Sequence, residues 1–521
     1  MRLIPQSRGG ALLRFALGAV VVIAAATATT AVAGLMQFKQ VATYLSANKA
    51  LRAPVRIPPP GAPQTLLLIG SDHRAGEPYS AANTDTMLLV RLNPSSRTIN
   101  MLSIPRDLKV QIPGYGAQKI NAAYSIGGPS LLLHIIQTQV FPGFQVNHIL
   151  DVNFGGFKAL VNAIGCVYVD VDHRYYNNTA LTDYSSIDIA PGYQRLCGSK
   201  ALQFVRFRHT DSDIVRNARQ QDFLRWVKDQ YSISYLLANR DRLLRIFGEH
   251  VQTDADLHSV DGLINLFDLV VNMAGHEIRQ IQFPYVFGPC NPVADPQTPC
   301  YVLASSAAAE RRAYEQFMAP TTGSPSRSRS SPGTAGQPAH GASGASPAGG
   351  RGSPGGAPGL LADPADGRAQ AAALKNPGMP VYYPRYILAG SAYCSSASGN
   401  CDDPQEPASE YAGMYPREYV IDDRAGHPHA AYVMTLVQDA PAGEYYTVQG
   451  TTWQNPPILA HPAAATVIDG KTLLEYFNGS RLDLVAWRTP EGVYWVSNSL
   501  TDSIGDRQLL AIAASLTRYS G

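Results

Sequence analysis

The sequence has little net charge, and it lacks the short motifs of several common enzyme classes. Its 42 Lys and Arg residues face 40 Asp and Glu residues, so the net charge is +2. A field this weak does not support general binding to nucleic acid, and any anion site must be local. The chain has no Cys-x-x-Cys pair, no Cys/His cluster with zinc spacing and no P-loop glycine pattern, which argues against a zinc finger and a nucleotide-binding P-loop.

Cysteine is also scarce, with six residues in a chain of 521, so the fold cannot depend on a dense disulfide scaffold. Glycine and proline are plentiful, at 45 and 38 residues, which argues against an all-helical bundle and indicates loops or a linker. At roughly 150 residues per domain, the length predicts two to four domains.

The amino terminus predicts export from the cytosol. Arg2, Arg8 and Arg14 precede an uncharged apolar run from Phe15 to Met36, which is long enough to span a bilayer. Because basic residues stay on the cytoplasmic side, we expect a single-pass protein of the cell membrane with a cytoplasmic amino terminus and an extracellular remainder. A cleaved signal peptide is the alternative, since Ala31-Val32-Ala33 fits a cleavage site.

Export would allow the cysteines to form disulfides. They fall into three pairs that are close in the sequence, and free buried thiols are the alternative. The expected pairs are Cys166 with Cys197, Cys290 with Cys300, and Cys394 with Cys401.

Composition divides the chain into five segments. One of them is rich in Ser, Pro, Gly and Ala and has hardly any large apolar residues, so it cannot bury enough surface to fold. The predicted segments are a cytoplasmic tip and membrane anchor (1–36), a Pro-rich stalk (37–63), an α/β domain (64–318), a disordered linker (319–376) and a separate small α+β domain of unknown role (377–521). In the last segment we expect strands over Leu482–Trp487 and Val493–Ser497 and a helix near Arg507–Leu516.

Two acids and an arginine are expected at one edge of a sheet. The apolar run Thr65–Gly70 predicts a buried strand, and Asp72 follows it. Asp85 precedes a second run, Thr86–Leu92, which turns back into a third run that ends just before Arg106. If the first two strands are antiparallel neighbours, Asp72, Asp85 and Arg106 converge.

Two neighbouring carboxylates repel each other, and a divalent metal with oxygen ligands relieves the repulsion. Mg²⁺ takes one or two carboxylates and fills its other positions with water and phosphate oxygens. Asp72 and Asp85 are therefore candidate ligands of Mg²⁺, with Mn²⁺ as a second possible metal. The alternative is that both are ordinary loop or cap residues.

A second charged group lies between positions 206 and 220. Its members share one side of an extended segment or one face of a helix that starts near Asp213. Arginine binds phosphate bidentately, and a helix amino terminus adds backbone donors, so the group is a candidate anion site. A basic surface helix neutralised by Asp213 and Asp222 is the alternative. The members are Arg206, Arg208, Arg216, Arg219 and Gln220.

The segments between these two groups are mostly apolar. Leu131–Val140 and Phe157–Ile164 are helix candidates whose default role is to form the core, and a lipid-lined groove is the alternative. Lys119 and Asn121 are expected in a loop, where they either help to hold a polar ligand or have no special role.

Together these segments resemble the LytR-CpsA-Psr family of cell-wall glycopolymer transferases, from Gln64 to about Asp229. Each matching piece is weak alone, but their order and spacing behind a single membrane anchor are specific. The matching pieces are Gly70-Ser71-Asp72 with Arg74, Thr84-Asp85-Thr86, Ser103-Ile104-Pro105-Arg106-Asp107, Lys119-Ile120-Asn121-Ala122-Ala123-Tyr124 with Gly127-Gly128, Val152-Asn153-Phe154, and Arg206-x-Arg208 followed by Asp213, Arg216 and Arg219-Gln220.

The resemblance implies an α/β/α sandwich around a central mixed sheet, with a hydrophobic tunnel for a polyprenyl chain and the pyrophosphate at its mouth. It implies transfer of a glycopolymer from a polyprenyl-pyrophosphate carrier onto a hydroxyl of peptidoglycan, with Asp72 and Asp85 on Mg²⁺. The implied pyrophosphate ligands are Arg106, Arg206, Arg208, Arg216 and Gln220, with Arg74, Lys119, Asp213 and Arg219 as further candidates. Arg106 is expected to matter most for catalysis, and Asp107 and Asp213 are candidates for the base.

Two departures from the family pattern stand out. Asn83 replaces an arginine that commonly precedes the Thr-Asp-Thr motif, and Gly165-Cys166-Val167 replaces a Gly-Gly-Val. Together with Cys197, this cysteine suggests a bridge between two loops near the site, as in actinobacterial relatives. The Arg-, Ala- and Gly-rich composition favours an actinobacterial glycan such as arabinogalactan over teichoic acid.

Two alternatives to the transferase function remain open. A lipid pyrophosphatase would use water as the acceptor, and a non-catalytic protein would bind lipid or glycan as a regulator of the cell envelope. A nucleic-acid-binding function does not agree with the predicted export or with the net charge.

Overall fold

The computed structural model describes residues 39, 42, 43, 50–72, 82, 84–178, 186–208, 210–273, 275, 276, 278–288, 301–319, 358–395, 397–403 and 408–520. The predicted anchor, most of the predicted linker, Arg74 and the pair Cys290 and Cys300 lie outside these residues. In the described ranges, no helix combines the length and the apolar character that a membrane crossing requires.

The first domain (residues 50–319) contains fourteen of the described strands and eight of the described α-helices. The strands are β1 Gln64–Ser71, β2 Thr84–Asn93, β3 Thr98–Ser103, β4 Lys109–Ile112, β5 Gly116–Lys119, β6 His148–Asn153, β7 Val167–Val171, β8 Tyr175–Asn177, β9 Ile187–Ile189, β10 Gly192–Leu196, β11 Val251–Thr253, β12 Ile278–Ile281, β13 Tyr285–Phe287 and β14 Val302–Ala304. The α-helices are α1 Asn121–Ile135, α2 Phe154–Ile164, α3 Gly198–Arg206, α4 Asp213–Gln230, α5 Ile233–Ala238, α6 Arg240–His250, α7 Val260–Met273 and α8 Ala307–Met318.

A mixed sheet of six strands forms the centre of this domain, in the order β11-β6-β1-β2-β3-β12. β1 is antiparallel to β2 and parallel to β6, and β2 and β3 form the predicted hairpin. Successive side chains of a strand point to opposite faces. Leu67 and Leu89 accordingly pack against α1 and α8, whereas Leu66 and Leu88 pack against α7. Helices therefore cover both faces of the sheet, as the resemblance implies.

Most predicted elements of this domain are present, but the loop predicted for the polar segment after Arg106 is wrong. Lys119 ends strand β5 and Asn121 begins helix α1, so neither lies in the expected loop. Helix α1 is interrupted at Gly127 and Gly128, and Gly128 has a φ of 65°, a conformation that favours glycine. The interruption explains the Gly-Gly pair in this segment.

The predicted stalk does not stay clear of the domain over its described part. Leu51 is buried, and its amide donates to the carbonyl of Thr253 at 2.9 Å. The amide of Arg56 donates to the carbonyl of Val146 at 3.1 Å. The part of the chain that packs on the first domain therefore includes residues before Gln64, because the amides of Leu51 and Arg56 have partners there.

The second domain (residues 358–520) contains an eight-stranded antiparallel sheet flanked by two α-helices. The strands of this domain are β15 Leu360–Ala362, β16 Tyr382–Tyr383, β17 Tyr386–Leu388, β18 Ala392–Tyr393, β19 Arg417–Asp422, β20 Pro428–Asp439, β21 Glu444–Thr451, β22 Ala464–Ile468, β23 Lys471–Asn478, β24 Arg481–Thr489, β25 Gly492–Ser497 and β26 Thr517–Arg518, and its α-helices are α9 Pro364–Ala373 and α10 Asp506–Ala514. Strands β18 to β25 form the eight-stranded sheet. The predicted tail strands and helix are confirmed.

The boundary predicted at residue 376 is wrong, because β15 and α9 precede it. Helix α9 buries only small residues, Gly367 and Ala371, and a composition of this kind looks like a linker. Residues 320–357 lie outside the described ranges, so the prediction of a linker stands for them alone.

The two domains share a hydrophobic cluster, so the prediction of a separate carboxyl-terminal domain is not confirmed. Tyr168 and Tyr193 of the first domain pack with Trp495 of the second. The buried carboxylate of Asp170 accepts hydrogen bonds from Trp495 Nε1 at 3.3 Å, from Gln449 and from Ser497. A buried acid with three donors from the other domain indicates specific docking.

Two of the predicted disulfides are present. Cys166 is bonded to Cys197, and Cys394 is bonded to Cys401. No free cysteine occurs in the described ranges. The first bridge joins the segment after α2 to the start of α3, and both helices supply residues to the cleft described next.

Candidate active site

A cavity of about 280 Å³ lies at the predicted edge of the sheet. Five cationic side chains and one carboxylate are among the described residues that line it. They are Arg106, Lys158, Arg206, Arg208, Arg216 and Asp85. The excess of positive charge makes this cleft a candidate site for an anion.

A β-bulge positions Asp85 at the cleft. Gly70 pairs with Thr86 and Ser71 pairs with Thr84, so Asp85 is the extra residue on β2. A bulge bends its strand and redirects a side chain. At Gly70 an added Cβ would lie 3.0 Å from Cβ of Thr86, which explains why glycine occupies this position beside the bulge.

Three arginines surround the Asp85 carboxylate. Oδ1 accepts from Nη1 of Arg106 at 2.5 Å and lies 4.0 Å from Nη1 of Arg216, and Oδ2 accepts from Nε of Arg206 at 3.4 Å. Burial raises the pKa of Asp85, but Arg216, Arg106 and Arg206 together outweigh it, so the pKa lies below its ordinary value. Asp85 is therefore ionised at neutral pH, as a metal ligand must be.

Asp213, the first residue of α4, holds two of these arginines in place. Its Oδ2 accepts from the backbone amide of Arg106 at 2.7 Å, and its Oδ1 pairs with Arg216 one helical turn further on. Within the described structure, the buried Nε atoms of Arg106 and Arg216 donate to no acceptor. Nε of Arg106 nevertheless lies 3.9 Å from a carboxylate oxygen of Asp107 and of Asp213, and both arginines are among the residues that line the cavity.

Asp107 holds a second pair of cations. It accepts from Nη2 of Arg208 and lies 3.0 Å from Nζ of Lys119. Both candidate bases, Asp107 and Asp213, are thus engaged with basic side chains. This arrangement suits a role in orienting those side chains.

The structure brings Arg106, Arg206, Arg208 and Arg216 together at the cleft, whereas Arg219 and Gln220, like Lys119, do not line it. Arg219 is fully buried, pairs with Asp211 and donates from Nη1 to the carbonyl of Phe207 at 2.9 Å. Gln220 donates from Nε2 to the carbonyl of Val205 at 3.0 Å. Neither side chain lines the cavity, and both donate to backbone carbonyls at the carboxyl end of α3.

Asp72 directly follows Ser71, whose partner Thr84 directly precedes Asp85. The two predicted metal ligands therefore sit at the same end of adjacent strands. No cluster of three or more His, Cys, Asp or Glu side chains able to hold a metal occurs in the described ranges. A pair of carboxylates still fits Mg²⁺, which takes its remaining ligands from water and phosphate.

Lys158 was not predicted, although it lines the cavity from helix α2. The available signal was a single cation in an otherwise apolar helix. Asp151 was missed as well. It is buried behind the cleft and accepts hydrogen bonds from Ser71 Oγ at 2.6 Å and from the Tyr124 hydroxyl, and it thereby ties β1 and α1 of the predicted motifs to β6.

A family model agrees with this geometry. The model of the LytR_cpsA_psr family matches residues 33–311, which is more than half of the chain. The chain belongs to the LytR-CpsA-Psr family. The second domain lies outside the matched range, so the family match says nothing of its role.

Proteins that are similar in sequence to this chain have names that refer to the cell wall. The polyisoprenyl-teichoic acid–peptidoglycan teichoic acid transferase TagU of Oceanobacillus iheyensis is 33% identical over 207 residues, which cover 38% of this chain and 61% of TagU. The "Probable cell wall biosynthesis protein LcpB" of Corynebacterium glutamicum is 33% identical over 170 residues, 30% of this chain and 39% of LcpB. The chain thus spans about three fifths of TagU and less of LcpB.

A solved structure is also similar to part of this chain. The structure "TagT bound to LIIa-WTA" has a TM-score of 0.38 and 23% sequence identity, and the alignment covers 50% of this chain and 92% of TagT.

Proposed function

We propose that this LytR-CpsA-Psr protein is a phosphotransferase that moves a glycopolymer from a polyprenyl-pyrophosphate carrier onto peptidoglycan outside the cell, anchored in the membrane by Phe15–Met36. The observation that carries the proposal is the cleft lined by five cationic side chains and one carboxylate. The names of its relatives, such as the teichoic acid transferase TagU, support the choice of glycopolymer and peptidoglycan as substrates.

The proposed reaction exchanges the phosphoanhydride bond of the carrier for a phosphoester bond to peptidoglycan. A peptidoglycan hydroxyl attacks the sugar-proximal phosphorus, the bond from this phosphorus to the bridging oxygen breaks, and polyprenyl phosphate leaves. The hydroxyl proton ends on the leaving phosphate, directly or through water. Since the pyrophosphate linkage itself supplies the driving free energy, no nucleotide is required.

The arginines stabilise the charge that develops on the phosphoryl oxygens. Preorganised donors of this kind supply much of the catalysis of phosphoryl transfer. Asp213 fixes Arg106 through its backbone and Arg216 through its side chain, so the two guanidinium groups keep their position when the cleft is empty. Arg206 packs over the ring of Phe154 at 4.0 Å, which restricts its movement in the same way.

Asp72 and Asp85 would hold Mg²⁺, which supplies neutralisation of negative charge on the pyrophosphate. A metal ion alone would enter a cleft that is already positively charged, and Coulomb repulsion opposes this. A pyrophosphate diester brings two negative charges and removes the repulsion. We therefore expect this chain to bind the metal tightly only together with the anion.

The test is transfer by the Arg106→Ala variant. Loss of one preorganised donor costs about 100- to 1,000-fold in rate, whereas folding should change little because Arg106 serves the cleft. Arg311→Ala, on the exposed face of α8, is the matched control. The measurement is release of polyprenyl phosphate in the presence of peptidoglycan, before and after chelation with EDTA and repletion with Mg²⁺, together with a urea unfolding curve.

Full transfer by a folded Arg106→Ala protein would contradict the proposal. Release of polyprenyl phosphate at the same rate without peptidoglycan would instead support a pyrophosphatase. Activity that survives EDTA would remove the metal from the proposal and leave the role of the arginines intact.

A further inference from the structure

A second and larger cavity, of about 690 Å³, lies between the two domains. The first domain contributes helix α4, the end of β3 and the segment from Arg279 to Phe283, and the second domain contributes the β23–β24 turn and the loop before α10. The volume is typical of ligand sites. Eight of its twenty lining residues come from the second domain, which lies outside the family match at residues 33–311.

One helix separates this cavity from the catalytic cleft. Ile214, Asn217, Ala218 and Gln221 of α4 face the interdomain cavity, at the spacing i, i+3, i+4 and i+7 that defines one helical face. Arg216, on an adjacent face, lines the catalytic cleft. The two cavities are therefore neighbours around a single helix turn.

Half of the twenty residues that line the interdomain cavity carry amide or hydroxyl groups. An amide both donates and accepts hydrogen bonds, which suits the hydroxyls of sugars. The amide residues that line the cavity are Asn217, Gln221, Gln280, Gln282, Gln316 and Asn478. Arg279 and Arg481 add planar donors.

Several of these amides also bridge the domains and hold the cavity open. Nδ2 of Asn478 donates to Oε1 of Gln280 and to Oδ2 of Asp502, each at 3.0 Å, and Nε2 of Gln282 donates to the carbonyl of Thr501 at 3.2 Å. Oδ1 of Asn478 is buried and has no partner within the described structure. Asn478 is one of the residues that line the cavity, and it is only 7% exposed.

Asp502 also lines the cavity. Burial, together with the carboxylates of Asp483 and Asp222, raises its pKa, which favours its neutral form. The wall therefore offers several neutral donors and acceptors beside Arg279 and Arg481. Ten amide or hydroxyl residues for two arginines suit a polyhydroxylated ligand better than an apolar chain.

From these observations we propose that the interdomain cavity is a glycan subsite, which binds sugar residues next to the pyrophosphate cleft and which the second domain completes. The inference rests on the proposed function and deepens it. The sugars belong either to the glycopolymer being transferred or to the accepting peptidoglycan strand, which share the same hydroxyl chemistry.

Binding of two glycan probes by the full chain in detergent tests the inference. One probe is a tetrasaccharide of alternating N-acetylglucosamine and N-acetylmuramic acid, and the other is lipid-free glycopolymer released from the cell wall by mild acid. Titration calorimetry should show binding of one probe. The probe that binds assigns the subsite to the acceptor or to the donor.

Two variants address the cavity itself. Arg481→Ala removes a donor, and Ser480→Trp fills the cavity from an exposed turn position. Arg481→Ala should weaken binding by about tenfold or more, since a hydrogen bond to a charged group contributes about 1.5–3 kcal/mol. Ser480→Trp should weaken binding by a similar factor or more, because the added ring occupies the space of the ligand. Arg507→Ala on α10 and Thr472→Trp on β23 are matched controls, because both positions are exposed and neither lines the cavity.

The outcomes separate this inference from the proposed function. The Arg106→Ala protein should lose transfer activity but should still bind the glycan probe, because Arg106 does not line the interdomain cavity. If neither probe binds, or if Arg481→Ala and a folded Ser480→Trp bind like the controls, the glycan subsite is refuted while the transferase stands. If Arg106→Ala transfers at the full rate, the proposed function falls first.

Discussion

Replacing Cys166 and Cys197 by serine tests whether the disulfide beside the cleft stabilises both the fold and the anion site. The chain-entropy relation gives about 3.7 kcal/mol for a sequence separation of 31 residues. For Cys394 and Cys401, separated by 7 residues, it gives about 2.4 kcal/mol. The double serine variant of the second pair is therefore a matched control, with the same chemistry in a shorter loop.

The first bridge should also affect ligand binding. It connects the segment after α2, which carries Lys158, to the start of α3, which carries Arg206, and both side chains line the cleft. A second connection survives in the variant, because the amide of Gly198 donates to Oδ1 of Asn162 at 2.9 Å. We therefore expect inorganic pyrophosphate to bind several-fold more weakly, without complete loss.

Urea unfolding and calorimetric titration with pyrophosphate measure the two effects. The Cys166→Ser/Cys197→Ser protein should unfold at lower urea than the Cys394→Ser/Cys401→Ser protein, and it alone should lose affinity for pyrophosphate. Equal unfolding midpoints would refute the loop-entropy reasoning. Equal affinities would show that α2 and α3 keep their places without the bridge.

Three further predictions follow from the geometry. Arg219→Met should destabilise the fold by about 3–5 kcal/mol, because it leaves the buried carboxylate of Asp211 without its arginine partner. Arg208 is partly exposed, so Arg208→Met should cost about 1 kcal/mol or less. Comparable urea midpoints for the two variants would contradict the assignment of Arg219 to the core. Burial raises the pKa of Asp170 to about 6, with Gln449, Trp495, Ser497 and Asp172 facing the carboxyl, so its contribution to stability is present below pH 4 and is lost as the pH rises through 6. Asp170→Asn should make the decline in stability from pH 4 to 7 shallower, by up to about 3 kcal/mol over this range, and an unchanged slope in urea unfolding would argue against this. Lys158→Ala should weaken pyrophosphate binding by about tenfold, while Lys200→Ala, which does not line the cleft, should bind normally; equal binding by the two proteins would remove Lys158 from the site.

Local sequence patterns predicted the part of the site that depends on neighbouring strands. The hairpin turn at Asn93-Pro94-Ser95-Ser96 and two short apolar runs were enough to bring Asp85 and Arg106 together, and their side chains are 2.5 Å apart. The bulge that aims Asp85 was not predicted, because it depends on pairing between strands rather than on either strand alone.

Helical spacing was less informative for the arginines of α4. Arg216 and Arg219 are three residues apart and share a broad face, yet Arg216 lines the cleft and Arg219 pairs with Asp211 in the core. Periodicity defines a face, but it does not show which edge of that face meets the cavity. That depends on the position of α3, which the sequence does not indicate.

Contacts between distant segments were beyond local patterns altogether. Asp170 and its partner Gln449 are 279 residues apart, and neither has a sequence neighbourhood that indicates the other. The prediction of a separate second domain is not confirmed for this reason, since the local sequence of neither domain indicates the contacts between them.

The shared interface has a practical consequence for dissecting the protein. A truncated chain that ends after Met318 would expose the rings of Tyr168 and Tyr193 to water and would deprive Asp170 of all three donors from the other side. Such a fragment would tend to self-associate through the uncovered aromatic patch. A protein made for testing the proposed transfer should therefore retain the chain through residue 520, because low activity of a shorter fragment would reflect the loss of the interface.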